Sequence, residues 1–163
     1  MKLRKNKKGF TLVELLVVIA IIGVLAVVAV PALFSNINKA KVASVESDYS
    51  SVKSAALSYY ADENKLPQTA NKLDAIASYM ETVPTKADVG GAYEFVKTND
   101  KLALKIKDAS LTEAQTEKLL SDIGEDRIYT DASLNTVLSG ARTGDIYMIL
   151  IDNADMSNPT NGK

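Results

Sequence analysis

Twenty consecutive residues, Leu15–Phe34 (LLVVIAIIGVLAVVAVPALF), carry no charge. Wound as a helix at 1.5 Å per residue, they cover about 30 Å, the thickness of a bilayer's hydrocarbon core. Such a run dictates its own surroundings, because an apolar helix face is stable only in lipid or against other apolar surface. A secretory signal is the alternative, but its apolar region runs about 7–15 residues and ends in a small-x-small cleavage site. Around Ala26–Pro31 (AVVAVP) no Ala-x-Ala occurs. The segment is therefore read as retained.

The charges around this run give it a direction. Residues 1–9 hold five basic side chains, Lys2, Arg4, Lys5, Lys7 and Lys8, and no acid. Basic flanks stay cytoplasmic, which sends everything after Phe34 to the outer face. From Ser35 onward 14 basic residues stand against 19 acidic ones, a balance of −5. A soluble part of that sign is poorly suited to neutralising phosphates, which argues against nucleic acid as the main ligand. Cysteine and histidine are absent. No disulfide can staple the fold, and neither a thiolate nor an imidazole is present as nucleophile, general base or metal ligand.

One acid precedes the apolar run, in the stretch NKKGFTLVELLVV. A carboxylate in a bilayer costs up to about 3 kcal/mol at the centre and less towards the ends, so an anchor gains nothing from Glu14. One account is that its charge complements the positive end of the helix, stabilising by about 0.3–1 kcal/mol. The other concerns Gly9 and Phe10. Cutting between them would create an α-amino group one helical turn from Glu14, and a unit charge pair at about 4 Å is worth about 4 kcal/mol at an effective dielectric of 20. The same cut would remove all five basic residues.

The stretch KKGFTLVELLVVIAIIGVLAVVAVPAL resembles the amino-terminal signature of type IV prepilins, and within that family is most like the major pilins of clostridia. The signature comprises a short basic leader, Gly9 before the scissile bond, Phe10 as first mature residue, Glu14 at the fifth mature position, and an apolar helix with Gly23 and Pro31. The resemblance implies that a membrane-embedded prepilin peptidase removes Met1–Gly9 and N-methylates Phe10. Subunits would then pass from the membrane into a helical homopolymer, with Glu14 of one meeting the Phe10 amine of another. A platform protein and an extension ATPase acting indirectly are the further partners it implies. Gly23 and Pro31 would mark a stretch that bends or partly unwinds. Proline lacks an amide hydrogen and crowds the carbonyl four residues back, so kinking or weakening is expected there on general grounds too.

Beyond Phe34 the helical signal turns amphipathic. Val42, Val45, Tyr49, Val52, Ala56 and Tyr59 form one apolar stripe, with an end expected near Asn64, ahead of Pro67. A short helix is expected in TANKLDAIASYMETVP, begun by Thr69 or Asn71 and stopped before Pro84. Gly90–Gly91 reads as a break, and AYEFVKTNDKLALKIK as a hairpin turning at Asn99–Asp100. Ser110 and Glu113 fit a capping box for a helix through Ile123, closed by Gly124. Residues 127–130 and 145–151 read as strands, the last central because it is nearly all apolar. The expected class is α+β, with a long helix, apolar in its first half and amphipathic in its second, packed under a small antiparallel sheet. The expected domains are a cleaved leader (1–9), a membrane or filament-core helix (10–34) and an extracytoplasmic head (35–163).

Two further motifs are read as surface features. Ser50-Ser51-Val52-Lys53 matches S-x-x-K, but neither S-D-N nor K-T-G accompanies it. The tail residues Asp152, Asn153, Asp155 and Asn158 could offer oxygens to calcium, yet lack the calcium-loop glycine and glutamate spacing and read as a solvated turn. No catalytic residue, metal or cofactor is assigned. The expected function is a structural subunit, the major pilin of a type IV pilus, supporting adhesion, aggregation or biofilm formation and surface motility, moving from a single-pass membrane precursor to a surface fibre. A minor pilin or pseudopilin of a secretion or competence machine is the alternative, followed by a membrane-tethered enzyme or binding domain.

Overall fold

The computed structural model describes residues 9–67, 73–98 and 101–152. Its first element, α1, is a helix over Leu12–Glu63. It is assigned as helix without interruption through Gly23 and Pro31. The chain divides into two compact units, Met1–Ile37 and Asn38–Lys163. Within the first unit, the apolar residues of α1 are exposed. An 18-residue window there has a mean hydropathy of 3.1 and no buried residue, long and apolar enough to cross a membrane.

Within the second unit, α1 buries Val42, Val45, Tyr49, Val52, Ala55 and Ala56. These include five members of the expected stripe, at the three- and four-residue spacing that places side chains on one face. Tyr59 packs at the margin, edge-on to Tyr79 with ring centroids 5.8 Å apart. The helix ends where Asn64 turns left-handed (φ 49°), its amide bonded to the Tyr60 carbonyl. Asparagine tolerates that conformation, so it terminates the helix ahead of the proline.

After α1 comes a 3-10 turn over Leu73–Tyr79, not an α-helix, with Leu73 and Ile76 buried. It stops four residues short of the expected limit at Val83, and the candidate starts Thr69 and Asn71 lie outside the described residues. The strands follow: β1 (Tyr93–Thr98), β2 (Lys101–Leu111), β3 (Ile128–Tyr129) and β4 (Arg142–Ile151), with helix α2 (Glu113–Ile123) between β2 and β3. All pairings are antiparallel and the order is β1-β2-β4-β3. β1 and β2 form the expected hairpin, in register from Tyr93↔Ile106 to Thr98↔Lys101; Asn99 and Asp100 lie outside the described residues.

The expected cap of α2 is corrected. Ser110 belongs to β2, paired with Thr143, and its amide donates to the Val89 carbonyl at 2.7 Å. The cap is Thr112, whose hydroxyl accepts from the Gln115 amide while the Gln115 side chain accepts from the Thr112 amide at 2.9 Å. The strand ladder claimed the first candidate, and the capping box moved two residues on. Gly124 closes α2 as expected, bonding its amide to the Leu120 carbonyl.

Gly90 and Gly91 are required by a close approach. The β2–β4 register shifts between Ile106 and Ala109, where Asp108 is left-handed (φ 47°). The 87–92 turn lies against that bulge, with the Gly91 amide 2.7 Å from the Lys107 carbonyl. A Cβ on Gly90 would meet the Ala109 Cα at 2.9 Å, and one on Gly91 the Lys107 carbonyl at 2.9 Å.

The core lies where the α1 stripe meets Phe95, Leu102, Leu104, Ile106, Ile146, Met148 and Leu150. Polar ties fix the helix on the sheet: Tyr49 donates to the Ile149 carbonyl at 2.7 Å, and Tyr93 to Asp48 at 2.9 Å. Burial raises the pKa of both Asp48 and Tyr93. The other face carries Lys105, bridging Glu94 at 3.2 Å and Asp145 at 2.9 Å. Leu104 sits fully buried on the inner strand β2. Leu104→Ala is expected to destabilise the head by about 2–5 kcal/mol, measured by denaturant unfolding, through lost burial and the cavity left behind.

Candidate assembly and processing site

The start of α1 is built by a reciprocal cap. The Glu14 amide donates to Thr11 Oγ1 at 3.2 Å. In return Glu14 Oε2 accepts from the Thr11 amide at 2.8 Å and from the Thr11 hydroxyl at 2.9 Å. The Leu15 amide bonds the Thr11 carbonyl at 3.2 Å, starting the helical ladder. Thr11 is thus the N-cap and Glu14 the N3 residue of a capping box. Sequence reasoning missed Thr11, although Thr11-x-x-Glu14 ahead of an apolar run is the signal for this cap.

Gly9 and Phe10 precede the cap in non-helical backbone, and Phe10 is 83% exposed. A Cβ on Gly9 or on Gly23 would meet no atom within 4 Å. Among the described residues, packing therefore asks for glycine at neither position. At Gly23 the choice costs intrinsic helix stability, about 1 kcal/mol relative to alanine. Pro31, inside α1, has no amide hydrogen to give the Val27 carbonyl.

The structure keeps the five signature residues in one linear array along the first unit: Gly9 and Phe10 before the helix, Glu14 in its first turn, Gly23 and Pro31 further on. What it presents there is an exposed Gly9–Phe10 peptide, one anion at a helix terminus and a long apolar surface.

The remaining candidates fall elsewhere. Ser50 and Lys53 line a cleft of about 390 Å³ with Glu46, Tyr49, Asp122, Ile123 and Arg127. Asp152 pairs with Arg127 at 3.7 Å, and Asn153, Asp155 and Asn158 lie outside the described residues. Among the described residues, no group of three or more acidic side chains is placed to hold a metal ion.

Thr11→Ala removes the hydroxyl of the cap and is expected to cost the first turn about 1 kcal/mol. Amide exchange of residues 12–15 in detergent should quicken accordingly, while the head's unfolding midpoint stays unchanged.

Residues 4–30 match the family model described as the prokaryotic N-terminal methylation motif. Residues 36–110 match the model described as PilW, C-terminal. No curated protein sequence matches the chain. Among solved structures, the chain is similar to that of the major Type IV pilin PilA1 from Clostridium difficile. The two are 51% identical over 72% of this chain and 99% of that one, with a TM-score of 0.67.

Proposed function

This chain belongs to the type IV pilin family, and from that premise we propose that it is the major subunit of a surface pilus, processed at Gly9–Phe10 and assembled through Glu14. The observation that carries the proposal is a single carboxylate, held in the first turn of a helix whose next 20 residues are uncharged and whose apolar side chains are exposed. A chain that leaves this much apolar surface uncovered needs lipid first and copies of itself later. The precursor spans the membrane once with its amino terminus cytoplasmic, and domains 1–9, 10–34 and 35–163 serve as leader, filament core and displayed head.

In this reading the peptidase needs Gly9 for close approach to the scissile bond, which agrees with the open space around that residue. Cleavage exposes the Phe10 amine, and methylation keeps it cationic. In the filament the amine of one subunit pairs with Glu14 of another, in a dry core where an unpaired charge costs several kcal/mol. Gly23 allows helices to pack closely, as small residues do between apolar helices. The missing hydrogen bond at Pro31 is where the core helix can stretch. The assembly platform and extension ATPase act on the membrane side, and the fibre serves adhesion, aggregation and surface motility. The role is structural, with no catalytic step assigned to the chain.

A major role is favoured over a minor pilin or pseudopilin by the 51% identity with a protein described as a major type IV pilin. A major subunit should dominate sheared surface fibres, whereas a pseudopilin should stay in short envelope-spanning rods.

Mass measurement of the mature protein should give a chain beginning at N-methylated Phe10; an intact Met1, or cleavage after Ala26 or beyond, would overturn the reading. Glu14→Val should leave leader removal and membrane residence unchanged, because the leader, Gly9 and apolar run are intact and valine is more comfortable in lipid. Fibres should be lost, since the penalty of an unpaired amine recurs at every subunit added. Normal fibres from that variant would reduce Glu14 to a cap.

A further inference from the structure

Where α1 enters the head, its first contact is polar. Every residue from Gly9 to Ile37 is exposed, and Asn38 is the first that is not. Asn38 Oδ1 accepts a hydrogen bond from Gln115 Nε2 on α2 at 3.3 Å. The buried apolar residues of α1 begin one turn later, with Val42 and then Val45. Asn38 and Gln115 both belong to the second compact unit.

Gln115 is held from its own side of the contact. It is a buried polar side chain, 5% exposed, in the first turn of α2. Its Oε1 accepts from the Thr112 amide at 2.9 Å and from the Thr112 hydroxyl at 3.2 Å. An amide group is planar, so fixing Oε1 also fixes the direction of Nε2. The cap of α2 thereby aims one donor at α1, and a buried donor left without an acceptor is costly. On the other side of Asn38 the helix is weak. Phe34, Ser35, Asn36, Ile37 and Asn38 itself all rank below alanine as helix formers. Pro31, inside the same helix, has already removed one bond of the ladder.

We propose that the Gln115–Asn38 bond is a clamp that sets where α1 stops unwinding: the helix opens readily up to Ile37 and is held from Asn38 onward. Helix opening spreads bond by bond from a weak point. At Asn38 it must, for the first time, break a contact made by a side chain of another element. In the fibre proposed above, unwinding that starts at Pro31 stops at Asn38, before it reaches Val42 and the core. That consequence rests on the proposed function, whereas the clamp acts within one chain and needs no fibre.

The test is amide hydrogen exchange on the full chain in detergent micelles, corrected for intrinsic rates and read residue by residue, with β4 as internal reference. Each helical amide bonds the carbonyl four residues back, so amides 38–41 report on the weak turn and amides 42–45 on the turn that begins at Asn38. Protection should rise in a step between Lys41 and Val42. Equal protection in both turns, a steady gradient through them, or a step delayed to Glu46 would overturn the clamp, and the natural sequence alone decides this. A double-mutant cycle then isolates the pair, since Asn38→Ala also improves helix propensity and Gln115→Ala also weakens the cap of α2. Both side effects recur in the double variant and cancel. Protection of amides 42–45 in the double variant should exceed the product of the single effects by about three- to tenfold, the worth of one hydrogen bond. Effects that simply multiply would overturn the clamp.

Discussion

The uncovered apolar half of α1 is the constraint on which the rest depends. Its large apolar side chains from Leu12 to Phe34 are exposed among the described residues. Hydrophobic transfer at about 25 cal/mol per Å² makes that state untenable in water. The helix therefore has two permitted surroundings, a bilayer or a bundle of like helices, and the biology of a pilin is a passage from one to the other. A single carboxylate at its start is consistent with both: its cap on Thr11 satisfies it locally, and the pairing proposed above would have a neighbour's amine satisfy it in a filament.

The second half of the same helix obeys a different solvent. From Val42 its apolar residues contract to a stripe, and the opposite face becomes charged. The stripe makes the head a domain with its own core, to which β2 and β4 contribute the two inner strands. With no cysteine in the chain, position is fixed by hydrogen bonds, the buried one from Tyr49 to the Ile149 carbonyl and the partly buried one from Tyr93 to Asp48. Such bonds are directional and costly to leave unmade, so they select one register of helix on sheet where apolar contact alone would tolerate several.

Glu14 illustrates what a linear reading captures and where it stops. Its rarity in an apolar run is legible, as are the Gly9-Phe10 dipeptide and the basic stretch before it, because each is a local departure from the chemistry around it. Its partner Thr11 is legible too, as a capping-box spacing overshadowed by the rarer charge. The open space around Gly9 and Gly23 is not legible, since a glycine in sequence does not reveal whether its own fold needs it.

The sequence by itself determined the long helix, its change from apolar to amphipathic, the β1–β2 hairpin and the apolar centre of β4, because periodicity of three to four or of two is a local property of the chain. It also determined the signature Gly9, Phe10 and Glu14. Tertiary structure decided where competing local signals resolved. Ser110 and Thr112 were both eligible to cap α2, and the ladder to Thr143 took the first. Leu73–Tyr79 had the composition of a short helix and closed as a 3-10 turn. The β1-β2-β4-β3 order and the bulge that demands Gly90 and Gly91 arise from contacts between distant segments. Local propensity is worth tenths of a kcal/mol per residue, whereas packing and buried hydrogen bonds are worth whole ones, so the distant contacts prevail wherever the two disagree.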